Sequence, residues 1–433
     1  MKNTLTASTT LSPGLPRAVA SLAGALALAG SGMAKADVIA QFNAVAARTA
    51  TPTVAVPYPA VTSQEKRTLS FVDLATVHLA MYDAVVAVEG GYAPYAIVPV
   101  SPRQGASAAA AAAAAACTVL QGMFPSRAAE YQVDCAPYQP GAATDDATAK
   151  GITLGVEVGQ RMLAERANDG RDATPDYTPG GGIGDFVPAA PGSNPIWHFA
   201  PYMRAFTLFT PAQFRADGPP ALTSASYAEA FDEVKRLGRT GGAELTPAQL
   251  ESARFYTENP NLFWPRATRV FLDRPTLVEN ARLGALLQVS IGDAILGCFD
   301  SKYFFDAWRP RTAISAAAAD GNPATNADAG WTPLAPSPNH PEYPSGHSCI
   351  AGAVAEVIKS YHGTSQVAFT WNSTVPGTTS HAYGSVQEML RDMKDARVHG
   401  GMHFRFASDD GATLGRRTAQ WVVKNYLRPL GGR

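Results

Sequence analysis

The sequence predicts a mainly α-helical protein built from helical bundles, and two features carry that prediction. Apolar residues recur at steps of three and four in segment after segment, the period of one face of a helix. Alternating apolar and polar runs bounded by hairpin turns are scarce, so little of the chain reads as sheet. Of the 433 residues, roughly 400 remain after an N-terminal leader, enough to bury a core without a metal or disulfide staple.

The leader comes first. Lys2 and Arg17 precede an apolar run from Ala18 to Ala29, and Ala34-Lys35-Ala36 stands ahead of Asp37. That order is a signal peptide over residues 1–36, cut after Ala36, and it places the mature protein outside the cytoplasm, in a periplasmic or extracellular setting. The run is about a dozen residues, short of the roughly 20 that span a bilayer, and no membrane span is expected later in the chain. Residues 37–200 read as an N-terminal helical half serving as scaffold. Within it Leu74, Val77, Met81, Ala84 and Val85 form one stripe of a helix over Phe71–Ala87. The alanine tract from Ser107 to Val119 favours helix by propensity, and Gly151 to Ala167 continues in the same period. Between Asn168 and Pro201 Gly, Pro and Asp accumulate, which predicts a long surface loop and a seam between two halves.

Residues 201–433 read as a C-terminal helical half with three segments that share an unusual ending. After Pro275-Thr276, Leu283, Leu287, Ile291, Ala294 and Cys298 form an apolar stripe whose next step is Lys302; Arg309 follows two turns on, and Pro310 is expected to stop the pattern. At Ser345-Gly346-His347 an N-cap serine opens a helix with Ile350, Val354 and Val357 on one face, so His347 falls in the first turn, where backbone N–H groups are free. Ser385 and Glu388 form a capping box for a helix that runs through Val386, Met389 and Met393 to Arg397.

Burying an unpaired lysine or arginine costs several kcal/mol, so cations that close apolar stripes call for an anion. Each taken singly reads as a snorkelling side chain with Asp293, Asp300 or Asp306 at hand. Convergence of Lys302, Arg309 and Arg397 on the helix start at Ser345-Gly346 would instead make a pocket for a tetrahedral oxyanion, with His403 as nucleophile or ligand and His347 as acid or base. Lys plus Arg number 35 and Asp plus Glu 36; this balance supplies neither a basic footprint for nucleic acid nor a polybasic patch for a membrane, and fits a small substrate. Cys117, Cys135, Cys298 and Cys349 admit three pairings into two bridges, and no C-x-x-C occurs.

Lys302 with six residues before Arg309-Pro310, then Pro344-Ser-Gly-His347, then Arg397 with five residues before His403 resembles the three-part signature of the vanadium-dependent haloperoxidases. That family shares its pocket and helical-bundle fold with the type-2 phosphatidic-acid-phosphatase and bacterial acid-phosphatase superfamily. The resemblance implies vanadate as cofactor, with phosphate able to occupy the same place. Lys302, Arg309, Ser345, Gly346 and Arg397 would hold its oxygens, His403 would be the apical vanadium ligand, and His347 the acid-base group. Lys302 would polarise bound hydrogen peroxide, halide would be oxidised to hypohalous acid, and a small organic acceptor and a homo-oligomeric assembly are compatible partners. His340, with Phe299 beside the pocket, occupies a place similar to a histidine in algal bromoperoxidases and a phenylalanine in the fungal chloroperoxidase, which favours bromide or iodide, bromide first. The family has Ser before the arginine and Asp four residues after the second histidine, where this chain has Ala396 and Ala407; Asp410, one turn on, is the candidate substitute. The alternative is an exported acid phosphatase working through a phosphohistidine at His403. Two further readings are a divalent-metal pair at His399 and His403 with Asp409 or Asp410, and an oxyanion binder without turnover.

Overall fold

The computed structural model describes residues 37–50, 69–188, 193 and 195–431; the leader expected over residues 1–36 lies outside them. Five helices come from the first half: α1 (Val38–Ala50), α2 (Ser70–Glu89), α3 (Ala108–Met123), α4 (Ala128–Cys135) and α5 (Asp146–Glu165). The expected stripe over Phe71–Ala87 is α2, but it is buried on every side rather than one, and it carries Asp73, His78 and Asp83 inside. Each buried carboxylate is put to work. Asp73 pairs with Arg171 at 2.7 Å, and Asp83 accepts the backbone N–H groups of Tyr95, Ala96 and Ile97. The alanine tract forms α3, capped by Ser107, and lies backbone to backbone against α5; a Cβ at Gly155 would stand 2.2 Å from the Ala111 carbonyl oxygen. A disulfide joins Cys117 of α3 to Cys135 of α4, while Cys298 and Cys349 remain buried thiols.

The second half adds α6 (Ala225–Leu237), α7 (Pro247–Phe255), α8 (Pro260–Arg269), α9 (Leu277–Phe305), α10 (Pro310–Ala316), α11 (Gly346–His362), α12 (Val386–His399) and α13 (Arg405–Asn425), with a hairpin of β1 (Phe369–Trp371) and β2 (His381–Tyr383) paired antiparallel. The spine is α9. Thr276 and Glu279 cap it reciprocally, and nearly every side chain from Asn280 to Lys302 is buried against α2, α11 and α13. Leu283, Leu287 and Ile291 each gain about 1.5–3 kcal/mol from that burial. Both α2 and α9 are long and apolar enough to cross a bilayer, and both instead lie inside the protein, surrounded by other helices.

The structure corrects the local reading in three places. Helix α9 ends before Pro310, because Asp306 turns left-handed (φ 48°) and its carboxylate receives Tyr177 Oη and the Gly180 N–H; Pro310 starts α10 at its first position, where a missing N–H costs nothing. Arg309 is therefore on extended backbone, not on the α9 stripe. Ser385 caps α12 through the Glu388 N–H, but the Glu388 carboxylate returns to the N–H of Gly384, one residue outside the expected box. Ser345 occupies the N-cap position of α11 without using its hydroxyl as a cap.

Helix α13 crosses α11 with glycines in contact with backbone. A Cβ at Gly415 would lie 1.9 Å from the Cys349 carbonyl oxygen, and one at Gly411 2.6 Å from that of Ser345. No side chain fits between the two helices there, so the helix start at Gly346 and the approach to α13 through His403 are held at a fixed spacing.

Candidate functional site

The end of α9, the segment before α10, the turn into α11, the end of α12 and the turn into α13 meet at one place. Lys302 and Arg309 are fully buried, and Arg397 and His403 are each 2 % exposed. All three cations lack a carboxylate within ion-pair distance among the described residues. The three aspartates that offered themselves in the sequence are committed elsewhere. Asp293 takes the N–H groups of Phe206 and Thr207, Asp300 pairs with Arg215, and Asp306 caps α9. Burial is the main cause that loosens the protons, with Arg309 adding repulsion at Lys302 and Arg397, and Arg311 at Arg309: Lys302 is pushed down to about 8, Arg309 to about 10 and Arg397 to about 9. A cluster of this kind is electrostatically incomplete without an anion.

Each cation is aimed by backbone. Lys302 Nζ donates to the carbonyl oxygens of Pro341, Glu342 and Pro344, which uses its three protons and ties α9 to the segment ahead of Ser345. Arg309 donates through Nε to His340 O at 3.1 Å and through Nη1 to Met402 O at 3.0 Å. Arg397 donates to Tyr256 O at 2.8 Å and lies 2.9 Å from Met402 Sδ, and its Nε has no protein partner.

The tautomer of His403 follows from its neighbours. Arg309 can only donate, so its Nη1, 3.2 Å from His403 Nε2, requires that nitrogen to be an acceptor. The proton then sits on Nδ1 and is donated to Glu342 Oε1 at 2.8 Å, an oxygen that also receives the N–H of Phe404 at 3.1 Å. His403 thus carries its Nε2 lone pair on the cationic side. Burial, then Arg309, Lys302 and Arg397, hold its pKa well below the usual imidazole range. Burial also raises the Glu342 carboxyl to about 7 against the pull of Lys302 and Arg309.

Glu342 is the residue the sequence reading missed. Asp410, the expected substitute for the absent aspartate, instead accepts from Tyr343 Oη at 2.6 Å, and Ala407 packs against Tyr343 while its carbonyl receives the Ser345 N–H. The available signal was an acidic residue between Pro341 and Pro344 with no basic neighbour in sequence. His399 and His403 do not form a metal pair on one helix: α12 ends at His399, and Gly401 (φ 71°) breaks the chain before α13.

A cavity of about 400 Å³ opens over this floor, with His340, Gly346, His347, Arg397 and His403 on its lining. Phe299 stands above, its ring 5.2 Å from that of His340. The ring of His347 has no protein hydrogen bond among the described residues, and burial followed by Arg397, Lys302 and Arg309 keeps it neutral, with its pKa far below the ordinary value. The donor set fits a tetrahedral oxyanion. Ser345 Oγ and Arg397 Nε are buried and unpartnered, and a Cβ on Gly346 would meet nothing within 4 Å, which leaves the space before the α11 N-terminus open.

Residues 282–432 match the family model of the VCPO second helical-bundle domain. The vanadium chloroperoxidase of Curvularia inaequalis is 36% identical over 92 residues, which is 19% of this chain and 14% of that protein, so the alignment spans only about a seventh of that relative. Among solved structures, the first bacterial vanadium-dependent iodoperoxidase superposes with a TM-score of 0.70 at 20% identity, over 92% of this chain and 97% of the other. Holo-type bacterial vanadium-dependent chloroperoxidase gives 0.66 at 18% identity, over 86% and 94%.

Proposed function

We propose that this chain, similar in its second helical-bundle domain and in its fold to the vanadium-dependent haloperoxidases, oxidises halide with hydrogen peroxide at a vanadate held over Lys302, Arg309 and Arg397. The observation that carries the proposal is the set of three buried cations without a carboxylate, meeting a histidine whose unprotonated Nε2 faces them and is approached by Arg309 Nη1. Vanadate, when bound, supplies Lewis-acid activation of peroxide toward halide with no change in its oxidation state. The residues that would hold it are Arg309, Arg397, Ser345 and the amide of Gly346, with His403 Nε2 as the ligand to vanadium. Lys302 contributes charge, and it would have to release one carbonyl to donate a hydrogen bond into the site. His347, neutral and without a protein partner, is placed to pass a proton to and from the cavity.

Bromide is the halide favoured, on the strength of His340. Its imidazole lies 3.0 Å from Arg309 Nη2 and faces Phe299, so a polar ring stands where an apolar one would leave a drier, more chloride-selective wall. An exported location agrees with the Cys117–Cys135 disulfide, since such bonds persist in oxidising compartments.

Glu342 supports a second reading. A buried carboxylate fixing the tautomer of His403 is the arrangement a phosphohistidine nucleophile needs, and it stands in for the aspartate absent at position 407. One purified sample, with and without vanadate, decides between them. Bromination of a dimedone-type acceptor that requires vanadate and is lost in His403→Ala supports the haloperoxidase. Hydrolysis of a phosphomonoester that vanadate inhibits, with no halogenation, replaces it with the phosphatase.

A further inference from the structure

The cavity over the site is far larger than a halide and peroxide require. Its volume of about 400 Å³ is that of roughly a dozen waters and falls in the range of pockets that enclose small organic ligands. The upper wall is apolar, formed by Phe71 of α2, Ile196 and Trp197 of the loop before α6, Phe299 and Ile295 of α9, and Ile350 of α11.

In the polar strip at 257–261 several groups are already engaged. Thr257 Oγ1 donates to Arg254 O, the Glu258 carboxylate takes Arg266, Asn259 Oδ1 receives the Asn261 N–H, and Asn261 Oδ1 receives Ser70 Oγ. What the upper wall offers is aromatic faces and edges. The Trp197 ring meets Phe71 at 6.1 Å and Phe299 at 5.1 Å, both edge-on.

Trp197 is also held in a conformation that a bulky residue rarely adopts. Its φ is 54°, in the left-handed region that strains any residue with a bulky side chain. The surroundings hold it there: Ile196 N donates to Asn339 O at 2.8 Å, Tyr303 Oη donates to Ile196 O, and Ala200 N donates to Trp197 O at 2.9 Å. Strain maintained at a residue that closes a cavity points to a binding surface.

We propose that this chamber binds an electron-rich aromatic acceptor, a one- or two-ring phenol, against Trp197 and Phe299, so that the acceptor is halogenated where it sits and not in bulk solution. The inference rests on the haloperoxidase reading for its chemistry. In the balanced step a ring C–H bond breaks and a C–X bond forms: ArH, halide, hydrogen peroxide and one proton give ArX and two waters, with the halide oxidised and the peroxide O–O bond reduced.

Binding is tested without vanadate or peroxide, which separates the chamber from the reaction. The protein is titrated with 2-naphthol by calorimetry. Saturable one-site binding is expected, weakened at least tenfold in Trp197→Ala and likewise in Ile196→Trp, which fills the chamber without deleting the aromatic wall. Exposed Phe209→Ala serves as the control that binds as the parent does. In the vanadate-loaded protein the ratio of 2-naphthol to dimedone-type halogenation should fall at least tenfold in the same two variants. Absence of saturable binding, or an unchanged ratio in both variants, overturns the proposal and leaves the chamber a passage for halide and peroxide. Binding that depends on Trp197 in a protein that never halogenates would sustain the chamber and remove the haloperoxidase reading instead.

Discussion

Replacing Arg397 with methionine should make the anion-free protein more stable while removing its response to oxyanions. A guanidinium whose proton is held at about 9 where 12.5 is usual carries roughly 5 kcal/mol of charging energy at neutral pH. Methionine fills most of the same volume and removes that term. The loss is the hydrogen bond to the Tyr256 carbonyl and the contact with Met402 Sδ, and an acceptor left unpaired there costs about 1–3 kcal/mol. The balance favours the variant by about 2–4 kcal/mol, in the range seen when buried charges give way to apolar side chains, which for a chain of this length raises Tm by roughly 2–5 °C. Vanadate at a hundred times its Kd should stabilise the parent by about 2.7 kcal/mol and the variant by almost nothing. Thermal melts in buffer free of phosphate and sulfate, with and without vanadate, read both quantities. A variant that melts several degrees below the parent without anion would refute the reasoning, because it would mean that Arg397 is already compensated within the fold.

Lys302 gives the pH dependence. Its folded pKa of about 8 lies below the usual 10.5, so between those values the unfolded chain binds more protons and the anion-free protein gains stability as pH rises; vanadate binding, which needs the proton, should weaken over the same window, as melts from pH 7 to 10.5 would show. Glu342→Gln should retain more halide oxidation than Glu342→Ala, since an amide oxygen can still accept from the N–H of Phe404 and from His403 Nδ1; equal losses measured as kcat would show that this oxygen does not orient the ring. His340→Phe should lower the ratio of bromide to chloride kcat/KM. Opening the Cys117–Cys135 bond by a double serine substitution should cost about 2–4 kcal/mol in denaturant melts, with two thiols titrating in the unfolded parent and the same two in the variant.

The helices were legible because their causes are local. The apolar period of α2 and α9, the alanine run of α3 and the cap of α9 at Thr276 and Glu279 all lie within a few residues of the effect they produce. Lys302 and Arg397 stood out for a different reason, since each closes an apolar stripe where a buried cation calls for a partner; Arg309 and His403 entered through their spacing in the three-part signature. Glu342 escaped because its partner, His403, lies 61 positions away and nothing in its own segment requires a carboxylate. Trp197 escaped because a loop rich in Gly and Pro gives no sign of which side chain turns inward. Pro310 was misread because a helix end and a helix start place proline in nearly the same spacing, and only the left-handed Asp306 tells them apart.

The glycine contacts between α11 and α13 bear on how such a site can change over time. Where backbone touches backbone, as at Gly411 and Gly415, no graded substitution is available: the next larger residue collides, and the spacing from Ser345 to His403 can alter only by a jump in register. The opposite side of the chamber, made by Trp197, Phe299 and His340, consists of side chains that can be exchanged one at a time. The pocket therefore has one wall that is fixed and one that can drift: Trp197 and Phe299 can be exchanged to reshape the chamber, whereas His340 is bonded to Arg309 and ties that wall to the oxyanion cradle.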